Sequence, residues 1–231
     1  MTPELLAQVM EATWPPLRRW PLGPFTLRDG AGGGKRVSAA GCDGDFTADD
    51  LAHAEAAMAE PLMLIRASDT ALDAALQIRG WRLVDPVVAY AAPVADLASE
   101  LPQLAAFPHW PPLEIARAIW AEGGIGPARV AVMERVAGPK AAILSRRGDR
   151  PAGVAFVARL GTEVMVHALE VRPDHRRQGV GATLVHAAAN WAAEQGADRL
   201  SLVVTRQNTA ARALYARLGM GVVGQYHYRA K

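Results

Sequence analysis

The chain has 231 residues, 51% of them hydrophobic and 21% charged, which suits a globular protein of one large domain or two small ones. A formal net charge of +2 is too small to argue for nucleic acid as a partner. Cys42 is the single cysteine, which excludes an intrachain disulfide; no apolar run approaches membrane-spanning length and no signal-peptide pattern opens the chain, so a cytoplasmic protein away from membranes is expected.

Residues 4–14 have the pattern of a short helix that Pro15-Pro16 stops. Phe25–Arg28 and Lys35–Ala39 flank the run Gly30-Ala31-Gly32-Gly33-Gly34 and read as a hairpin. Lys35 after those glycines invites a phosphate-loop reading, but the glycine spacing is wrong and Arg36-Val37 stand where Ser or Thr is needed. Asp43 and Asp45 beside Cys42 raise a thiol pKa, which makes Cys42 a poor nucleophile. Thr47-Ala48-Asp49-Asp50 is an N-cap followed by acids and opens a helix to about Ala59. Leu62–Ile65 is a buried-type strand, Ser68-Asp69 caps a helix through Arg79 that Gly80 ends, and Trp81–Tyr90 is a strand.

After Pro93, helices are expected over 96–107, 113–121 and 127–136, with the aromatic segment Phe107-Pro108-His109-Trp110-Pro111-Pro112 between the first two. Ala141–Ser145, Gly153–Arg159 and Glu163–Val171 read as strands. Val180, Leu184, Ala188 and Trp191 repeat at helical spacing, and Gly196 closes that helix. Arg199–Thr205 is a strand, Asn208–Leu218 a helix closed by Gly219, and Val222–Tyr228 a last strand.

A gapless offset of 139 residues lays 201–228 on 62–89, strand on strand, helix on helix and glycine stop on glycine stop. Thr209, Ala210, Ala213, Gly219 and Val223 fall on Thr70, Ala71, Ala74, Gly80 and Val84. The two copies differ before the long helix. In the second, Arg176-Arg177-Gln178-Gly179-Val180-Gly181-Ala182 is a basic, glycine-bearing turn between strand and helix; its backbone N–H groups and the helix dipole suit a phosphate or pyrophosphate. In the first, the segment from Cys42 to Asp50 holds Asp43, Asp45, Asp49 and Asp50, which repel such a group.

Arg176-Arg177-Gln178-Gly179-Val180-Gly181 resembles the (Arg/Gln)-x-x-Gly-x-(Gly/Ala) turn of the GNAT superfamily of acetyl-CoA-dependent N-acetyltransferases. Asn208-Thr209-Ala210-Ala211-Arg212-Ala213-Leu214-Tyr215-Ala216-Arg217-Leu218-Gly219-Met220 is similar to that superfamily's second motif, with Met220 in place of the usual aromatic. The resemblance covers about 94–231 and implies a GNAT fold, a central mixed β-sheet flanked by helices in an α/β (α+β) protein. The duplication adds a smaller, degenerate GNAT-like unit without the CoA motif, giving expected domains 1–92 and 93–231. The implied cosubstrate is acetyl-CoA with no metal, and the implied acceptor is a small-molecule or peptide amine. A monomer or homodimer is expected.

By the same resemblance, the amides of Gln178, Gly179, Val180, Gly181 and Ala182 hold the CoA pyrophosphate with added charge from Arg176 and Arg177. Leu169 and Val171 border the pantetheine path, Asn208 and Arg212 hold the arm, and Tyr215 sits by the thioester sulfur as general acid. Strict alternation puts Met165, His167, Leu169 and Val171 on one strand face and Glu170 on the other. Val166–Val171 also resembles the corresponding strand of arylalkylamine N-acetyltransferases, where a histidine at the place of His167 belongs to the proton route; Glu170, acting through water, is the second candidate base. The family's loop between its first two helices shapes the acceptor pocket, which here points to 107–112. A non-catalytic acyl-CoA-binding module on the same scaffold is the alternative. A dinucleotide fingerprint fails because Leu184 stands at the third glycine position.

Overall fold

A computed structural model describes residues 1–231. The first half contains α1 (Pro3–Thr13), β1 (Arg18–Leu22), β2 (Phe25–Asp29), α2 (Lys35–Ser38), β3 (Gly41–Cys42), α3 (Ala48–Ala56), β4 (Leu62–Arg66), α4 (Thr70–Ile78) and β5 (Arg82–Pro93). The second contains α5 (Val94–Leu97), β6 (Ala106–His109), α6 (Glu114–Glu122), α7 (Pro127–Arg135), β7 (Lys140–Arg147), β8 (Arg150–Leu160), β9 (Glu163–Val171), α8 (Val180–Glu194), β10 (Arg199–Thr205), α9 (Thr209–Arg217) and β11 (Gly221–Ala230).

Two stretches differ from the sequence reading. Lys35–Ser38 is a helical turn rather than a strand, and the hairpin partner of β2 is β1, turned at Gly23 with φ 56°. The helix expected over 96–107 stops at Leu97: Ala98 is already extended, the Asn190 side chain of α8 takes the N–H and carbonyl of Ser99, and Pro102 could not continue a helix further on. Ala106–His109 pairs instead with β7 as the outermost strand, an edge position that tolerates Pro108.

An eight-stranded mixed sheet runs β4-β11-β5-β10-β9-β8-β7-β6, and β1-β2-β3 form a small antiparallel sheet. Only β9 and β10 are parallel neighbours in the large sheet. The halves exchange strands: β5 lies between β10 and β11, while β11 reaches across to pair with β4. Thr205↔Val87 and Val204↔Val88 on one side become Arg66↔Tyr226 and Ile65↔His227 on the other under the same 139-residue offset. Val87↔Tyr226 at the centre maps onto itself. The register thus repeats the sequence duplication as a pseudo-two-fold axis through the β5–β11 pair.

Helices cover both faces. On one, Leu184, Val185 and Ala188 of α8 and Tyr215 of α9 pack on Tyr90, Val157, Val166 and Leu202. On the other, Ile119 and Trp120 of α6 and Val132 and Met133 of α7 pack with Trp14, Val154 and Phe156. Beside them α1 sets Val9 and Met10 against Ala89, Met165 and Tyr226. Leu51, Leu72, Leu76 and Trp81 close a core of the first half with Phe25 and Leu27.

Candidate active site

β9 and β10 pair only from Glu163↔Arg199 to Val166↔Leu202 and then part. At that point β9 bulges. Phe156 faces His167 and Val154 faces Glu170 across β8, so one residue of β8 spans two of β9. Ala168 takes the strained conformation, φ 49°, and its carbonyl accepts from the Trp120 indole N–H at 2.8 Å. The bulge overturns the alternation expected from sequence. His167 and Glu170 share one face, while Leu169 and Val171 turn to the α8 side, half-buried beside Val164 and Val166.

The parted strands open onto a cavity of about 260 Å³. His167 and Ala168 from β9 and Val203, Val204 and Thr205 from β10 form one wall. Trp14, Arg36, Ile125, Arg129, Tyr226 and Tyr228 supply much of the rest. Residues 107–112 do not line it: Phe107 and Trp110 pack on the core beside β8. Ile125, in the turn between α6 and α7, takes a place on the wall instead.

His167 is 4% exposed and stacked on Trp14, ring centroids 5.0 Å apart. Thr13 Oγ1 donates to the Val9 carbonyl at 2.5 Å, which leaves it to accept from His167 Nε2–H at 2.9 Å. Arg36 Nη1 then donates to Nδ1 at 2.9 Å. That network assigns the neutral Nε2–H tautomer. Burial, and next the Arg36 charge, hold the imidazole well below its ordinary range. Both ring nitrogens are occupied, which leaves no lone pair open to a proton.

Glu170 stands outside the cavity. Its Oε1 accepts from Arg176 Nη2 at 3.1 Å, and the absence of a Cβ at Gly123 lets its side chain lie there. Arg176 also donates through Nε to the Val171 carbonyl at 3.0 Å, so this arginine braces the end of β9. Arg177 is exposed with φ 62°.

Beyond Arg176 the turn is open. The backbone N–H groups from Arg177 to Ala182 donate to no group in the chain, and the first bond of α8 is Thr183 N–H to Gly179 carbonyl at 3.0 Å. Gly179 has φ 85° and α8 has no side-chain cap. Gly181 meets Leu214 of α9, which lies 3.0 Å from where a Cβ would stand. The matching helix of the first half is closed: Thr47 Oγ1 accepts from Asp50 N–H at 3.1 Å while Asp50 Oδ2 accepts from Thr47 N–H at 2.9 Å. Asp43 is tied to Arg66 at 3.1 Å. Burial, helped by Asp69 and Asp43, pushes the Cys42 thiol up to about 11.

Tyr215 is buried on the opposite sheet face, 5.9 Å between centroids from Tyr90. Tyr90 pairs with Leu202, the last β10 residue bonded to β9, so Tyr215 stands at the level where the strands part. Burial raises its hydroxyl to about 12. Asn208 Oδ1 accepts from Ala211 N–H at 3.1 Å and caps α9. Arg212 donates to Tyr90 Oη at 3.4 Å and to the Arg206 carbonyl at 3.3 Å.

Trp14, Arg36, Arg129, Tyr226 and Tyr228 escape a sequence reading because four distant segments bring them together. The only local signal is the basic pair Lys35-Arg36 after a glycine run.

An uncapped helix N-terminus thus stands beside two parallel strands that part in the middle of the large sheet, an arrangement suited to tethering an anion. Residues 110–220 match the sequence model of the Acetyltransferase (GNAT) family. A stretch of 61 residues is 36% identical to the uncharacterized N-acetyltransferase YobR of Bacillus subtilis, covering 26% of this chain and 25% of that protein. The chain spans less than a third of the length of the curated relatives it matches first. The GCN5-related N-acetyltransferase from Kribbella flavida shares the fold at 20% identity and TM-score 0.73, over 98% of this chain and 94% of that one. A tandem GNAT protein from the clavulanic acid biosynthesis pathway does so at 14% identity and TM-score 0.62, over 98% and 87%. Two GNAT-like halves in one chain are therefore an architecture with a solved counterpart.

Proposed function

We propose that the chain is an N-acetyltransferase that moves the acetyl group of acetyl-CoA to a primary amine by direct attack in a ternary complex. The observation that carries this is the run of unbonded amides from Arg177 to Ala182 at the head of α8, beside the opening of β9 from β10. Those amides suit the CoA pyrophosphate, and the free edge of β9 past Val166 suits pantetheine as an added strand. The catalytic unit is the one from residue 93 on, completed by β5; the unit before it is GNAT-like without a CoA turn.

The amine attacks the thioester carbonyl, and the departing sulfur takes a proton from Tyr215, which burial keeps protonated. His167 is a positioning residue here: neutral and hydrogen-bonded at both nitrogens, it fixes Arg36 at the cavity wall. The proton of the incoming ammonium leaves through water to Glu170, whose Oε1 alone is held by Arg176. The engagement of His167 is also what favours the second reading, an acyl-CoA-binding module without turnover.

Thiol release on mixing the full chain with acetyl-CoA and a panel of primary amines separates the two. Amine-dependent release that Tyr215→Phe suppresses supports the enzyme. Acetyl-CoA binding without any amine-dependent release supports the module.

A further inference from the structure

The cavity beside His167 carries more positive charge than its own wall neutralises. Lys35, Arg36 and Arg129 face it, with Asp85 as the one carboxylate. Asp85 is already taken by Lys35 Nζ, 2.5 Å away. Glu11, on neighbouring α1, is engaged by Arg28 at 3.1 Å and Arg19 at 3.5 Å. Arg36 and Arg129 are left without an acid.

Arg36 is the more telling of the two. Its Nη1 is bound to His167, while its Nε is buried with no hydrogen-bond partner. Trp14, whose ring centroid lies 5.8 Å from the guanidinium carbon, holds the group in place. A buried Nε–H with no acceptor is costly, and the Nε/Nη2 edge has the geometry that takes a carboxylate with two parallel bonds. Arg129 stands exposed at the mouth, its guanidinium 3.5 Å from where a Cβ on Gly34 would lie. Between the cations the walls are apolar or aromatic: Trp14, Ile125, Tyr226 and Tyr228.

We propose that the acceptor is a small primary amine that carries its own carboxylate and an apolar body, as an α-amino acid does. The carboxylate sits on the Nε/Nη2 edge of Arg36, Arg129 draws it in at the mouth, and the amine turns toward the gap between β9 and β10. A cavity of about 260 Å³ holds such a molecule, and its surplus of positive charge disfavours a polyamine. A peptide N-terminus lacks a carboxylate at that distance from its amine. This inference rests on the acetyl-transfer reading above and narrows its acceptor.

Matched pairs test it on the full chain: L-phenylalanine against phenethylamine, and L-leucine against 3-methylbutylamine, each with acetyl-CoA and read as thiol release. The amino acid of each pair should have the higher kcat/KM by roughly tenfold or more, the size of one charge-assisted hydrogen bond. Arg129→Gln and Arg36→Lys should each shrink that gap, chiefly by raising KM for the amino acid of each pair. Equal or better turnover of the decarboxylated amines overturns the proposal, as does a preference that survives both substitutions. So does a protein that binds CoA, shown by calorimetry, yet turns over neither amino acid. A chain that does not bind CoA at all overturns the acetyl-transfer reading itself.

Discussion

Burial and the neighbouring Arg36 charge both favour the neutral form of His167, so its folded pKa lies below the ordinary 6.5. For a depressed pKa the stabilisation is complete above the unfolded value and is lost as pH falls below it. The melting temperature of the wild type should therefore fall more steeply from pH 7 to pH 5 than that of His167→Gln. In unfolding free energy the difference in slope should reach at most about 1.4 kcal/mol per pH unit; parallel pH profiles would contradict the neutral assignment. Tyr215 presents the opposite case, an acid held protonated. Tyr215→Phe should lower kcat by about 10²–10⁴-fold, the range of general acid catalysis, with acetyl-CoA affinity unchanged. An undiminished kcat would remove it from the mechanism.

The bulge in β9 decides what the site contains, and it hangs on one alanine. Ala168 at φ 49° bears a left-handed conformation that costs a residue with a Cβ about 1–2 kcal/mol. Ala168→Gly should raise stability by up to about 1 kcal/mol in urea unfolding, and Ala168→Val should lower it by more. A Gly variant less stable than the wild type would mean the bulge is not strained. Alanine gives no hint of a bulge in sequence, so period-two counting put His167 and Leu169 on one face. Elements whose ends are set by local chemistry were legible: the Thr47–Asp50 box, and the glycine stops at Gly80 and Gly219, with φ 79° and 80°. The open turn from Arg177 to Ala182 was legible for the same reason. The helical turn Lys35–Ser38 was not, because what holds it is the burial of Val37 against elements far away in the chain.

At the scale of the whole molecule, the two halves complete each other's sheet. The offset of 139 residues was readable in sequence, but the exchange of β5 and β11 was not, since either copy's strands pair equally well by pattern. A fragment of residues 94–231 lacks β5, which bonds both β10 and β11. That fragment should fail to give a cooperative unfolding transition alone and should recover one when produced with residues 1–93; a stable, cooperatively folded fragment would contradict the interlocked sheet. The exchange also brings Trp14 and Arg36 of the first half to the cavity of the second, while the capped head of α3 leaves the first half without an open turn of its own. The chain should therefore hold one CoA site, at the head of α8. Calorimetric titration of the full chain with acetyl-CoA tests it directly, with Gly181→Glu as the control that crowds Leu214 and places a negative charge in the turn. One mole bound per mole of wild type and none by the variant is the predicted result. No binding by the wild type, two sites per chain, or undiminished binding by Gly181→Glu would contradict it.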